Sequence, residues 1–189
     1  MDRQGDTQGM TGRSGEAFDE LLVVMVLAGE RRAAERLAAR WYPRLLRTAR
    51  RLLQDEEQAK VAVQEAWIAI LRGIAGLKDP TRFAPWAFGI LRRKCVDRIR
   101  TAQSRRGRAG GPPVEELAAA PEGIDDRLAI LQAFARLPRD QRLAAHLHYV
   151  EGLSLGEIAA VADVPEGTVK SRLFHARRRL KAVLKGDDQ

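Results

Sequence analysis

The 189-residue chain is predicted to be all-α, two small helical domains joined by a flexible linker, and three observations carry that prediction. Ala, Leu, Arg and Glu are abundant, while aromatic residues make up only 5% and alternating strand patterns are scarce. Apolar residues instead recur at helical spacing through most of the chain. The pattern fails from about Thr101 to Gly123, where Arg105-Arg-Gly-Arg-Ala-Gly-Gly-Pro-Pro113 can bury nothing and Glu115, Glu116, Glu122, Asp125 and Asp126 follow. That stretch reads as a linker, basic first and acidic after. The predicted organisation is a loose start at 1–15, a first domain at 16–101, a linker at 102–124, a second domain at 125–185 and a tail at 186–189.

The first helix is expected from Glu16 to Ala28 and the second from Arg31 to Leu53, with Leu37, Trp41, Leu45, Ala49 and Leu52 on one face. Pro43 lies inside the second and is a potential kink. Asp55 caps a third helix carrying Ala59, Ala62, Val63, Ala66, Trp67, Ile70 and Leu71. Gly73, Gly76, Asp79 and Pro80 form a loop. Thr81 caps a fourth helix through Phe83, Trp86, Ala87, Ile90, Leu91, Val96 and Ile99. In the second domain Leu128, Leu131, Phe134 and Leu137 share a face, Pro138 breaks the helix, and Asp140 to Val150 forms the next. Each domain is small enough that its core is marginal alone, which favours docking on a partner.

The last segment, Gly152 to Leu180, is the most informative. Ser154 is the N-cap of a helix and Glu157, three positions on, completes a capping box. Leu155, Ile158, Ala159 and Ala162 follow at helical spacing, and small Ala159 allows a second helix to cross closely. Asp163 stands where the chain turns, and Pro165 suits the first turn of the next helix. That helix buries Val169, Leu173, Ala176 and Leu180. Lys170, Ser171, Phe174, His175 and Arg178 are left facing outward. Such an arrangement is a helix-turn-helix whose second helix enters the DNA major groove; the alternative is an amphipathic helical hairpin with a solvated basic face.

Charge points the same way. The net charge is +8 and the sequence pI about 10.3, which favours a polyanionic partner. Asp97 is the only acid from Arg82 to Arg108, and none occurs from Thr168 to Lys185. Two uncompensated basic blocks predict two nucleic-acid contacts. The single cysteine, Cys95, excludes an intramolecular disulfide framework and fits a reducing cytoplasm. Met1 to Gly15 has no apolar core for a signal peptide, and Leu21 to Ala28 is too short to span a bilayer, so a cytoplasmic protein without membrane insertion is expected.

Trp41-Tyr-Pro-Arg-Leu-Leu46, Val63-Gln-Glu-Ala-Trp67, Asp79-Pro-Thr-Arg-Phe-Ala-Pro-Trp86, Asp97 with Arg98 and Arg100, Leu137-Pro-Arg-Asp-Gln-Arg142, Tyr149-Val-Glu-Gly-Leu-Ser154 and Gly167-Thr-Val-Lys-Ser-Arg-Leu173 occur in that order. Together they resemble an extracytoplasmic-function (ECF) sigma factor, a two-domain promoter-specificity subunit of bacterial RNA polymerase, over nearly the whole chain after Gly15. The resemblance implies that the first domain is region 2, docking on the β′ clamp helices of core polymerase through the surface of Gln58, Lys60, Val61, Gln64 and Glu65. It implies −10 contacts from Lys78, Arg82, Phe83, Arg92, Arg93, Lys94 and Arg98, with an unstacked base held beside phosphate-binding cations. Phe83 and Trp86, at i and i+3 beside Ile90, read as core ahead of a stacking platform, and core is above all the expectation for Trp86.

The second domain resembles region 4, which reads the −35 element and meets the β flap. The resemblance places Lys170, Ser171, Phe174 and His175 at the groove, Thr168 and Arg172 on phosphates, and Arg177, Arg178 and Arg179 in sequence-independent attraction. The acidic half of the linker fits a segment threaded through the polymerase's RNA exit path or a plain solvated tether. Promoter DNA, core polymerase and an anti-sigma factor are the implied partners. No cofactor, metal or catalysis is implied.

Three positions depart from the family pattern. Gln58-Ala-Lys-Val-Ala-Val63 stands where the family carries a carboxylate cluster, Arg93 where it has Asn, and His175 where it often has Arg. A charge-poor docking surface would gain from added negative charge, and Thr48 is the nearest hydroxyl in sequence for a phosphate. A stand-alone repressor would explain the helix-turn-helix but neither first-domain block. Cys95, His146, His148 and His175 lack zinc-ligand spacing, and no nucleophile–base constellation supports an enzyme.

Overall fold

The structure is a computed structural model that describes residues 7–108 and 126–185; the core of the expected linker, 109–124, and the tail lie outside the described residues. Among the described residues the fold has eight α-helices and no strand. In order they are α1 Thr7–Leu27, α2 Arg31–Leu53, α3 Glu56–Gly73, α4 Phe83–Arg108, α5 Asp126–Ala135, α6 Arg139–Tyr149, α7 Leu155–Ala162 and α8 Glu166–Lys185.

The first four helices form a bundle around Trp41. Its ring meets Phe83 edge-on at 4.9 Å and Phe88 at 5.7 Å, and Leu37, Leu45, Ala49 and Leu52 continue the buried face expected of α2. α2 runs through Pro43 unbroken and ends at Gln54, which takes a left-handed conformation (φ 54°). Asp55 then accepts a hydrogen bond from the Gln58 N–H, the expected cap of α3. Alanines at 59, 62 and 66 on α3 are fully buried, and their small side chains let α2 and α4 approach closely.

Three boundaries differ from the sequence expectation. α1 begins at Thr7, not Glu16, and Arg40 Nη2 donates to the Gly15 carbonyl, fastening a segment assigned to the loose start. The cap before α4 is Asp79 and not Thr81. Asp79 accepts from both the N–H and the hydroxyl of Thr81, and the short 3₁₀ turn Pro80–Arg82 leads into α4. α4 also continues to Arg108, seven residues past the expected domain end, because nothing in Thr101–Arg106 breaks a helix.

The last four helices form the second group, and the two groups pack against each other. α6 lies along α2, α7 lies on α4, and the buried side chains of both halves form one continuous core. The partner that two marginal cores call for is, in this structure, the other half of the chain.

Candidate nucleic-acid interface

The helix-turn-helix is built by its caps. Ser154 Oγ accepts from the Glu157 N–H, and the Glu157 carboxylate accepts from the Ser154 N–H at 2.8 Å, a complete capping box at the start of α7. Gly152 supplies the positive φ (77°) that turns the chain into this cap, a conformation glycine adopts without a Cβ clash. Asp163 is left-handed at φ 52°, the sharp turn between α7 and α8. Ile158, Val161 and Ala162 of α7 are buried with Val169, Leu173 and Ala176 of α8, while Leu180 is half-buried.

The opposite face of α8 is exposed. Lys170, Ser171, Phe174, His175 and Arg178 all lie there, and Phe174 is 62% exposed, with the His175 ring edge-on at 5.4 Å. Lys170 Nζ is 3.1 Å from Glu166 one turn back, a solvent-exposed pair of little energetic weight. Thr168 is half-buried in the first turn, where helical N–H groups point outward. Arg172, an expected phosphate contact, has a partner within the fold. Its guanidinium donates to Asp140 at the start of α6 and braces α8 against that helix.

The expected −10 residues divide. Lys78, Arg82 and Arg93 are exposed, and Arg92 and Lys94 are half-buried along α4. The loop that presents Lys78 and Arg82 is stiffened by Asp79, whose carboxyl is held below its ordinary range by hydrogen bonds from the Thr81 hydroxyl and N–H. Phe83 is 1% exposed and packed on Trp41, so it supports the loop from beneath and offers no face for stacking. Trp86 is half-buried, 6.0 Å from Phe83, with its indole edge against Gly73, and so is less enclosed than the expected core position. Arg98 donates to Glu65 and, at 3.3 Å, to Gln58. One expected DNA contact is thus paired with two expected docking residues.

The face of α3 expected to dock is poor in available carboxylate. Gln58 and Gln64 are exposed and Val61 is half-buried, with exposed Ile68 and Leu71 continuing the same face. Glu56 pairs with Arg50, and Lys60 Nζ sits 2.7 Å from Glu57 and 3.9 Å from Glu56. The acids one turn before Gln58 are therefore already matched by Arg50 and Lys60. Thr48 is buried, its hydroxyl donating to the Arg44 carbonyl at 3.0 Å, so a phosphate there has no room in this conformation.

The sequence did not reveal a polar seam between the halves. Arg44, Thr48 and Arg51 of α2 face Arg142 and His146 of α6 and Glu151 just beyond it. Partners 91 to 107 residues apart carry no local periodic signal. A charged residue among apolar neighbours at Arg142, beside Leu143 and Ala144, was the one available clue. Elsewhere, burial pushes the Cys95 thiol up to about 12, which leaves it a packed thiol and not a nucleophile. Among the described residues no group of three His, Cys, Asp or Glu gathers in metal-binding range, and no helix is long and apolar enough to cross a membrane.

Comparison with known proteins gives a consistent result. Residues 37–105 match the family model for sigma-70 region 2, and residues 127–180 that for sigma-70 region 4. The chain is 33% identical over 179 residues to the ECF RNA polymerase sigma factor SigM of Mycobacterium tuberculosis, covering 93% of this chain and 89% of that protein. It is 28% identical over 187 residues to the ECF RNA polymerase sigma-E factor of Escherichia coli K12, covering 88% and 94%. Among solved structures it resembles the sigma factor RpoE of Bartonella quintana in complex with the anti-sigma factor NepR (TM-score 0.69, 27% identity, 80% of this chain and 96% of that one). It also resembles CnrH in complex with the cytosolic domain of CnrY (TM-score 0.64, 26% identity, 90% and 99%).

Proposed function

The chain belongs to the ECF branch of the sigma-70 family, and on that premise we propose that it binds core RNA polymerase and directs initiation at promoters read through −10 and −35 elements. The observation that carries the reading is the exposed face of α8, with Lys170, Ser171, Phe174 and His175 side by side on a doubly capped helix-turn-helix. Side chains of this mix suit base edges in a major groove: a cation and a hydroxyl for hydrogen bonds, a ring for a thymine methyl. Thr168 and Arg178 flank them as phosphate contacts. In the other half, Lys78, Arg82, Arg92, Arg93 and Lys94 supply the cations for a melted −10 strand, and the outward line of Val61, Gln64, Ile68 and Leu71 meets the β′ clamp helices. The depression lined by Phe134, Tyr149 and Leu180 is the surface for the β flap.

The protein acts here as a specificity subunit, with no catalytic step of its own. An anti-sigma factor is the proposed regulator, supported by the solved neighbour RpoE, which is in complex with the anti-sigma factor NepR. Run-off transcription with core polymerase over a library of promoter variants tests the reading. Transcripts that depend on this protein and on both elements are expected. Failure to co-elute with core, together with no dependent transcript, refutes it.

A further inference from the structure

We propose that Asp19 pins the rotation of α1 on α2 and, because α1 underlies the Ile74–Arg82 loop, that Asp19 is a positioning residue for reading the −10 element. The inference rests on the promoter-reading function above and deepens it. It concerns a helix outside the segment that matches region 2, which begins at residue 37.

The pin is needed because the sequence of α1 does not select a buried face. Leu21 to Leu27 is an unbroken apolar run at the end of the helix. A helix apolar on every side has no pattern to set its rotation. In the fold Leu22 and Val23 are buried, whereas Leu21 and Val24 beside them are 52% and 51% exposed. Turning α1 by one residue, about 100°, would bury Leu21, Leu22 and Met25, or Val23, Val24 and Leu27, in place of Leu22, Val23 and Val26. The apolar content of the three faces is nearly the same.

Asp19 breaks the tie. It is buried, and two guanidiniums of α2 hold its two oxygens: Arg40 Nε donates to Oδ1, and Arg44 Nη1 donates to Oδ2 at 3.3 Å. Arg40 grips the adjoining turn as well. Its Nη2 donates to the Gly15 carbonyl at 3.1 Å, and its guanidinium lies 5.5 Å from the centre of the Phe18 ring. Turned one way, α1 would bring Phe18 to the two cations in place of a carboxylate. Turned the other way it would bring Glu20, whose extra methylene overfills the place that Asp19 occupies. A buried polar group satisfied in one register penalises the others, which is how a single polar residue fixes helix register.

The rotation of α1 matters because the helix packs on both short 3₁₀ turns of the loop, Ile74–Gly76 and Pro80–Arg82. Ile74 is buried and Leu77 half-buried on the same core that receives Leu22 and Val23. The loop's own hydrogen bonds, from the Leu77 N–H to the Ile74 carbonyl and from the Arg82 N–H to the Asp79 carbonyl, fix its shape. Its place is set by what lies beneath it, Phe83 and α1. Lys78 and Arg82, exposed on this loop, are the cations proposed for the melted strand. Binding groups must be held to within about 0.5 Å to discriminate, so a floor that can turn under them costs selectivity.

The test uses the full chain with spin labels at Ala17→Cys on α1 and Ala102→Cys on α4, both exposed, while native Cys95 is buried. The labelled chain should give one narrow distance distribution. Asp19→Asn, which keeps the size and loses the charge, should add a second distance. In run-off transcription with core polymerase, Asp19→Asn should reduce the ratio between the preferred −10 sequence and its single-base variants by roughly fivefold or more, the scale of one base contact. The corresponding −35 ratio should not change. A loss of stability alone would lower every transcript in proportion and leave both ratios as they were. Adding Leu21→Gln and Val24→Gln to Asp19→Asn penalises both wrong turns, and should restore the single distance and the −10 ratio. An unchanged distance in Asp19→Asn overturns the pin. A second distance with an unchanged −10 ratio overturns its part in reading. The labels need no polymerase, so a chain that shows the pin yet supports no transcript refutes the promoter reading, and with it the −10 role, while the pin stands.

Discussion

In the C-terminal half the candidate DNA-facing surface lies on one contiguous segment, Ser154 to Arg178, whereas the N-terminal half assembles its own from α3, the Gly76–Arg82 loop and α4. The difference has energetic consequences. On α8 the groove-facing side chains are exposed and make only weak local pairs, such as Lys170 with Glu166. On α3 and α4 the charges are already partnered across helices, Arg98 with Glu65 and Gln58, Lys60 with Glu57. A surface built from one helix is ready to bind, while one built from several must first exchange partners.

The largest expected effect tests whether the two halves share a core. Trp41→Ala removes the ring on which Phe83, Phe88 and the Arg44 guanidinium all pack, and should lower stability by about 3–5 kcal/mol. Because the buried residues form one cluster, a single thermal transition including the helix-turn-helix is expected to shift. Two transitions, with the C-terminal one unmoved, would mean that the halves melt independently.

The same contrast governs what the sequence made legible. The capping box, the turn at Asp163 and the outward face of α8 all depend on residues within one or two turns of each other, so spacing alone located them. The α2 face was legible for the same reason. Phe83 carried two readings, core and −10 contact, because a ring at a helix start looks alike from sequence whether it faces a strand or a core; its packing on Trp41, 42 residues earlier, gives the core reading. The internal partners of Arg172 and Arg98, Asp140 and Glu65, were not legible because they lie about 30 residues away. The Arg44–Glu151–His146 contacts join the two halves across about 100 residues and had no local signature, Arg142 among its apolar neighbours being the one hint of a polar seam.

Next in size are the readout substitutions, which sharpen the contrast within α8 itself. Lys170→Ala and His175→Ala should relax −35 preference, with about 1–3 kcal/mol of discrimination lost at the contacted positions. Arg178→Ala should weaken binding almost evenly across sequences and reduce the salt slope by about 1. Binding to variant −35 elements over a range of salt separates the two behaviours. Even loss for Lys170→Ala would remove it from the readout. Ser154→Ala should lower stability by about 1 kcal/mol, measured by thermal melting, since one capping acceptor at α7 is lost.

The seam gives a pH dependence with a definite sign. Burial lowers the His146 imidazole below its ordinary value, against the pull of Glu151 and with the push of Arg51 and Arg47. A group lowered on folding contributes stability above its ordinary value, here 6.5, and loses that contribution as the pH falls toward the folded value. For Glu151, burial raises the carboxyl, but contacts from His146 and Arg44 overcome it and leave it below its ordinary 4.5, so its contribution persists until more acidic conditions. The melting midpoint should therefore fall from about pH 7.5 to about pH 5.5, and His146→Gln should flatten that slope. An equal slope in the variant would assign the dependence to other groups.

The smallest expected effect concerns the docking face, where the N-terminal half is charge-poor because its acids are matched internally. Gln58→Asp, Lys60→Glu and Val61→Asp together add negative charge and release Glu56 and Glu57 from Lys60. Exposed pairs are individually weak and screened by salt, so core affinity should rise by roughly threefold to tenfold, and the gain should fade with added salt. Part of the new charge will be taken up by Arg98, which already reaches Gln58 and Glu65 from α4. Adding Arg98→Gln to the triple variant separates the two destinations. If Arg98 competes with the polymerase for the new carboxylates, that substitution should increase the gain. Core binding that is unchanged in the triple variant and in the quadruple one would show instead that Val61, Ile68 and Leu71 dock without charge, and that the missing carboxylates are neutral for this chain.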